Sequence, residues 1–288
     1  MCDSDNNQGF IVDTSMTRRS VVLTLSSVAA AAALPNVALA ANVTETDVMV
    51  PTPDGKADAV LFHPAGAGSW PAVLMWPDIL GLRPVFREMG RRLAAAGYTV
   101  LVPNPFYRVK RAPIVTGQFD FNNPQDRAKL DGIRDALTDE AVDRDATAFI
   151  AFLDKQKQTD RHKPAGVQGY CFSGPLAFHT AAARSDRIRA VATFHGGGLV
   201  TDKPDSPHLL IPQTKASFVV AIARNDDQKQ PEAKDVLKAA FAAASRPAIV
   251  EVYPADHGWC VPGSQTYDKP SAERAWAELL RLYRSNLA

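Results

Sequence analysis

From Thr46 onward the chain alternates two patterns: short runs of apolar and β-branched residues, and longer stretches in which apolar residues recur at helical spacing. "TDVMVP" and "KADAVLFHP" are predicted strands, joined as a hairpin around the turn residues Pro53-Asp54-Gly55. "PAVLMWP" has no polar position, as a strand covered on both faces requires. "FREMGRRLAAAG" follows helical spacing, stops at Gly97, and gives way to the strand-like "YTVLVP". Residues 106–138 are polar and irregular at first and helical later, and a connection of that length points to a lid or a binding segment. "EAVDRDATAFIAFLDKQ" is an amphipathic helix and "AGVQGY" the strand after it. A helix over 175–184, strands "RAVATFH" and "ASFVVAIA", the helix "PEAKDVLKAAFAAA", the strand "AIVEVYP" and the helix "SAERAWAELLRLYRSNL" complete the chain. Strands alternating with helices predict an α/β protein with one mostly parallel central sheet of about eight strands and helices on both faces. No internal repeat or low-complexity linker interrupts the alternation, so residues 41–288 are expected to form one domain.

The first forty residues break this pattern. Arg18-Arg19 is followed by an apolar, Ala-rich run from Val21 to Leu34 and by Ala38-Leu39-Ala40, an A-x-A cleavage site. This is the layout of a secretory signal over residues 1–40, and the arginine pair favours the twin-arginine route. The run is too short for a membrane anchor and ends at Pro35. The expected mature protein starts near Ala41 and is periplasmic or secreted. Cys2 leaves with the signal, and an oxidising compartment allows the remaining pair, Cys171 and Cys260, to form a disulfide; the sequence leaves that open.

Composition narrows the function classes. With 46% hydrophobic and 22% charged residues over 288, the chain can bury a large core. Its formal net charge of +1 lacks the basic excess of a nucleic-acid binder. The histidines show no metal-ligand spacing such as H-E-x-x-H, so no metal is expected. Neither nucleic acid nor a stable membrane association is expected as a partner, and the oligomeric state is open.

The chemistry concentrates in "GYCFSG", residues 169–174, at a predicted strand-to-helix junction. Small residues around Cys171 allow the sharp turn of a nucleophile elbow, which lifts the thiol above the sheet at a helix N-terminus. There the N–H groups favour a thiolate, and the N–H of Phe172 can hold an oxyanion. An acid and a histidine should follow in that order. "RNDDQKQPE" after "ASFVVAIA" offers Asp226 and Asp227, and "ADHGW" after "AIVEVYP" offers His257. His195 in "FHGGG" ends a strand near the same place and stays outside the catalytic set.

"PDILGLRP", "VPNPFYR", "GYCFSG", "ARNDD" and "YPADHGW" together make the chain resemble the dienelactone hydrolase family, cysteine-type α/β-hydrolases, from Asp47 to Leu287. The resemblance implies the α/β-hydrolase fold, no cofactor, and hydrolysis of a small-molecule lactone or carboxylic ester. It implies a triad of Cys171, His257 and Asp226, the acid being preferred over Asp227 because it stands three residues after Ala223, where the family usually has glycine. It implies an acidic residue near the resting thiol, here Asp78 in place of the more usual glutamate, with the Ile79 N–H completing the oxyanion hole. It also implies that Arg108 binds a substrate carboxylate, while the family's second such arginine has no counterpart. Two other functions fit the same residues: a broad carboxylesterase, and a non-catalytic periplasmic binding protein that keeps the fold.

Overall fold

The computed structural model describes residues 11–13 and 42–288. The expected hairpin is β2 (Val43–Thr52) and β3 (Gly55–Pro64), antiparallel with Thr52 opposite Gly55. β4 (Ala72–Trp76) and β5 (Thr99–Pro103) follow on either side of helix α1 (Pro84–Ala95), and every residue of both strands is buried. Helix α3 (Asp139–Asp154) leads to β7 (Ala165–Tyr170), which turns through Cys171–Ser173 into α4 (Gly174–Ala183). Then come β8 (Ile188–Phe194), β9 (Ser217–Ala223), the short helix α5 (Arg224–Lys229), α6 (Ala233–Ala243), β10 (Ala248–Tyr253) and the long α7 (Lys269–Asn286).

Eight of these strands form one sheet in the order β10-β9-β8-β7-β4-β5-β3-β2, parallel from β10 to β5 and antiparallel beyond. Phe149 of α3, Phe178 of α4 and Phe241 of α6 fill the core on one face, and Leu93 of α1 with Leu279 and Tyr283 of α7 fill it on the other. Each such side chain removed from water contributes roughly 1.5–3 kcal/mol. One polar residue crosses the core without penalty: Gln168 of β7 donates to the Tyr170 hydroxyl at 2.7 Å and accepts from the Tyr283 hydroxyl at 2.8 Å, which ties α7 to the sheet. Among the described residues no helix is long and apolar enough to cross a membrane.

Residues 106–138 depart from expectation. Their helical part reduces to α2 (Pro124–Ala128), and Phe106, Ile114, Phe119, Phe121 and Ile133 are buried, so the segment is packed onto the core rather than solvated. Within it β6 (Gln118–Asp120) pairs antiparallel with β1 (Ile11–Asp13), a contact that cleavage after Ala40 would remove. The arginine pair and the A-x-A site of the expected signal lie outside the described residues.

Between α3 and α4 the buried His179 meets Asp143 through Nδ1 at 3.1 Å and Asp139 through Nε2 at 3.4 Å. Burial pulls its pKa down, but the Asp143 hydrogen bond and the charges of Asp139, Asp143 and Asp205 outweigh this and raise it above 6.5. A folded-state pKa above the unfolded one stabilises the protein fully below the unfolded value, and the gain is lost as pH rises through the folded value. Urea midpoints of wild type and Asp143→Asn should therefore differ most on the acidic side of 6.5 and converge as pH rises. A difference that grows with pH would contradict this role.

Candidate active site

The parallel strands explain why the chemistry gathers in one place. Asp78 follows β4, Cys171 follows β7, His195 follows β8, Asp226 follows β9 and His257 follows β10, and these strands are consecutive neighbours in the sheet. All five residues leave the sheet at its carboxyl edge, where ligands bind in open α/β folds.

The elbow at Cys171 is built by its neighbours. Cys171 has φ of +57°, a left-handed conformation that costs a non-glycine residue roughly 1–2 kcal/mol. The wholly buried Ser173 holds it there: its Oγ accepts the Tyr170 N–H at 2.8 Å and lies 3.0 Å from the carbonyl of Trp76, tying the end of β7 to the end of β4. The flanking glycines are needed for close backbone approach. A Cβ at Gly169 would come within 2.1 Å of the Ser173 carbonyl oxygen, and one at Gly174 within 2.8 Å of the Gly196 Cα. The spacing of "GYCFSG" thus forms the turn expected of it, and the thiol is buried at the turn's apex.

His257 Nδ1 lies 2.7 Å from Asp226 Oδ2. The Nδ1–H donates to the carboxylate, which leaves Nε2 as the unprotonated nitrogen; that atom is buried and has no hydrogen-bond partner among the described residues. The loop is fixed on both sides of the ring: Asn225 Oδ1 accepts the His257 N–H at 2.8 Å, and the Thr266 hydroxyl donates to its carbonyl at 2.7 Å. Asp227, the sequence alternative, is turned away into a 2.7 Å ion pair with Lys234. Both aspartates sit on the short helix α5.

Cys171, His257, Asp78, Ile79 and His195 line one narrow cleft. Ile79 and Phe172, whose N–H groups are the oxyanion candidates, stand in its wall and immediately after the thiol. Arg83, absent from the sequence-based set, also lines it. Its guanidinium grips Asp78 through two hydrogen bonds of 2.5 and 2.8 Å, and the Leu80 N–H donates to the same carboxylate at 3.0 Å. Asp78 is therefore one half of an acid–arginine pair rather than a lone acid beside sulfur. A signal for it was present in "PDILGLRP", where the arginine stands five residues after the acid.

Arg108, expected to bind a substrate carboxylate, lies away from the Cys171 cleft. Its guanidinium donates twice to Asp145 at 2.7 Å and to Asp54 at 2.6 Å, stacks on the Tyr107 ring, and does not line the Cys171 cleft. Burial works against its charge, but Asp145 and Asp54 outweigh it and raise its basicity. The residue fastens the β2–β3 turn to α3, because Asp145, with no exposed side-chain surface, needs a cation. Arg108→Ala should cost about 3–5 kcal/mol, read as a lower denaturation midpoint, with an equal effect on anionic and neutral substrates. Unchanged stability with a selective loss on carboxylated substrates would return Arg108 to substrate binding.

Cys171 and Cys260 are not joined by a disulfide. Cys260 Sγ instead lies 3.3 Å from His195 Nε2, and the His195 ring meets the His257 ring edge-on with centroids 4.8 Å apart. Burial and the nearby His257 hold His195 well below the ordinary imidazole range. Burial and the Asp78 charge push the Cys260 thiol up.

The pattern of the dienelactone hydrolase family matches residues 57–287. A carboxymethylenebutenolidase of Pseudomonas sp. (strain P51) is 28% identical over 232 residues, covering 80% of this chain and 90% of its own. A carboxymethylenebutenolidase of Rhodococcus opacus is 27% identical over 203 residues, covering 70% of this chain and 75% of its own. Among solved structures, a dienelactone hydrolase-like promiscuous phosphotriesterase from metagenomic libraries superposes with a TM-score of 0.69 at 20% identity, over 85% of this chain and 99% of that one. The dienelactone hydrolase of Anabaena variabilis does so with a TM-score of 0.57 at 18% identity, over 85% and 99%.

Proposed function

Because the chain belongs to the dienelactone hydrolase family, we propose that this hydrolase cleaves a lactone or small carboxylic ester through a covalent intermediate on Cys171. The observation that carries the reading is a thiol held at φ +57° in a cleft shared with His257, whose Nδ1 is bonded to Asp226. His257 Nε2 takes the proton of Cys171, and the thiolate attacks the carbonyl carbon. The Phe172 and Ile79 N–H groups hold the tetrahedral oxyanion, each worth on the order of 3 kcal/mol in the transition state. Collapse breaks the carbon–oxygen bond, and the leaving oxygen takes the proton from His257. Water then attacks the thioester carbon with His257 as base, the carbon–sulfur bond breaks, the departing Cys171 sulfur takes the proton back from His257, and the acid product leaves as its carboxylate after losing its proton to solvent.

One observation favours the broader carboxylesterase reading over dienelactone itself. Arg108 is occupied away from the cleft, and Arg83, the cation in the cleft wall, is already held by Asp78. A neutral substrate meets no competitor there, whereas an anionic one must displace a buried carboxylate. The test compares p-nitrophenyl acetate with an anionic lactone such as dienelactone. Higher kcat/KM on the neutral ester supports this reading, preference for the lactone restores the narrower one, and no turnover of either supports the binding-protein alternative.

Export rests on Arg18-Arg19 and Ala38-Leu39-Ala40. The proposed mature protein starts at Ala41, and N-terminal sequencing of periplasmic material that still carried Arg18 would overturn it.

A further inference from the structure

His195 is used by no step above, yet it is held with care. It takes up φ of +42°, a strained conformation for a residue with a side chain, and its N–H is anchored to the Ala221 carbonyl at 2.8 Å. Its ring is 1% exposed, lines the Cys171 cleft, and leaves Nδ1 buried without a hydrogen-bond partner among the described residues. Burying such an atom unpaired is costly, and the ring that carries it borders the Cys171 cleft, so a ligand atom entering there is a partner it lacks. Nε2 is already committed to Cys260 Sγ at 3.3 Å.

The Cys260 sulfur, 3.3 Å from Nε2, can donate its hydrogen to that nitrogen or accept one from it, and the direction fixes which nitrogen carries the proton. Burial and the Asp78 charge keep Cys260 as the thiol, and burial and His257 keep His195 neutral. A thiol has one hydrogen to give, and when it is given to Nε2 the single proton of the neutral imidazole resides on Nδ1.

We infer that Cys260 is a positioning residue that fixes the tautomer of His195, and that His195 Nδ1–H is a substrate-binding donor for an oxygen atom carried by the acyl group. This rests on the hydrolase reading and adds a substrate class to it: esters or lactones whose acyl chain bears an ether, hydroxyl or keto oxygen are preferred over hydrocarbon chains of the same length. The donor is neutral, so it selects for an oxygen without adding a charge beside the imidazolium that forms on His257.

The experiment pairs p-nitrophenyl methoxyacetate with p-nitrophenyl butyrate, which differ by one oxygen in place of a methylene, and divides the ratio of kcat/KM by the same ratio for hydroxide. The corrected ratio should exceed one and fall roughly three- to tenfold in His195→Gly, as for a lost hydrogen bond. His195→Asn should keep most of it, because its amide reaches the position of Nδ1 and both replacements tolerate a left-handed backbone. Cys260→Ala should lower the ratio and Cys260→Ser restore it, since a hydroxyl can donate to Nε2 as the thiol does. Nitrogen-15 spectra of histidine-labelled protein should show the His195 proton on Nδ1 in wild type and Cys260→Ser, and spread over both nitrogens in Cys260→Ala. A flat ratio across these variants, or a wild-type proton on Nε2, would overturn the inference while Cys171-dependent hydrolysis left the hydrolase reading intact. Absence of Cys171-dependent hydrolysis of either ester would overturn both.

Discussion

Replacing Cys171 by alanine is expected to lower kcat for ester hydrolysis by at least about 10³-fold while leaving the thermal midpoint close to wild type. Removal of a nucleophile that acts together with its base costs about as much as removal of the whole set, because the remaining groups have nothing to activate. The fold should survive because the elbow is held by parts that alanine does not touch: the Ser173 Oγ bridge between Tyr170 and Trp76, and the close contacts of Gly169 and Gly174. Alanine carries the same Cβ as cysteine at φ +57°, so the strain is unchanged. Cys171→Ser should fall between, since a hydroxyl at the same place is a poorer nucleophile next to a base matched to a thiol. Activity retained in Cys171→Ala with an unchanged midpoint would reduce "GYCFSG" to a tight turn.

Asp226→Asn carries the second large effect. The carboxylate accepts the Nδ1–H of His257 at 2.7 Å and so keeps Nε2 free of a proton. An asparagine amide turned to donate to Nδ1 reverses the tautomer and places the proton on Nε2, where the base is needed. The expected fall in kcat/KM is about 10²- to 10⁴-fold, the upper end being the size of the corresponding change in serine-protease triads. Asp227→Asn is the matched control. It breaks a partly exposed pair with Lys234, worth about 0–1 kcal/mol, and should leave kcat/KM within a few-fold of wild type. A larger loss in Asp227→Asn than in Asp226→Asn would reassign the acid.

These two residues also mark how far the sequence could be read. The strands were legible because those of the central sheet are short apolar runs between turn residues, and the order nucleophile, acid, histidine followed from placing each group after a strand. Asp226 and Asp227 could not be separated by spacing alone, because both sit on α5 and the choice depends on which side of that helix faces His257. The surroundings of Arg108 were illegible for a related reason. "PNPFYR" says that an arginine follows β5, but its partners Asp54 and Asp145 are 54 and 37 residues away, and only the fold brings them to it. Arg83 and Ser173 were visible as letters in quoted segments, yet a buried arginine and a buried hydroxyl become functional only through what they bond. Residues 106–138 read as polar because their charged positions are frequent, whereas the phenylalanines and isoleucines among them are the ones that pack inward.

The central claim is that a covalent acyl group passes through Cys171. Rapid acid quench during turnover of p-nitrophenyl acetate, followed by peptide mass analysis, tests it directly. The peptide containing Cys171 should gain one acetyl group that builds up with the first release of p-nitrophenol and accumulates further in Asp226→Asn if hydrolysis of the thioester slows more than its formation. No acetyl group on the Cys171 peptide while hydrolysis proceeds, or an acetyl group carried instead by Cys260, would contradict the account.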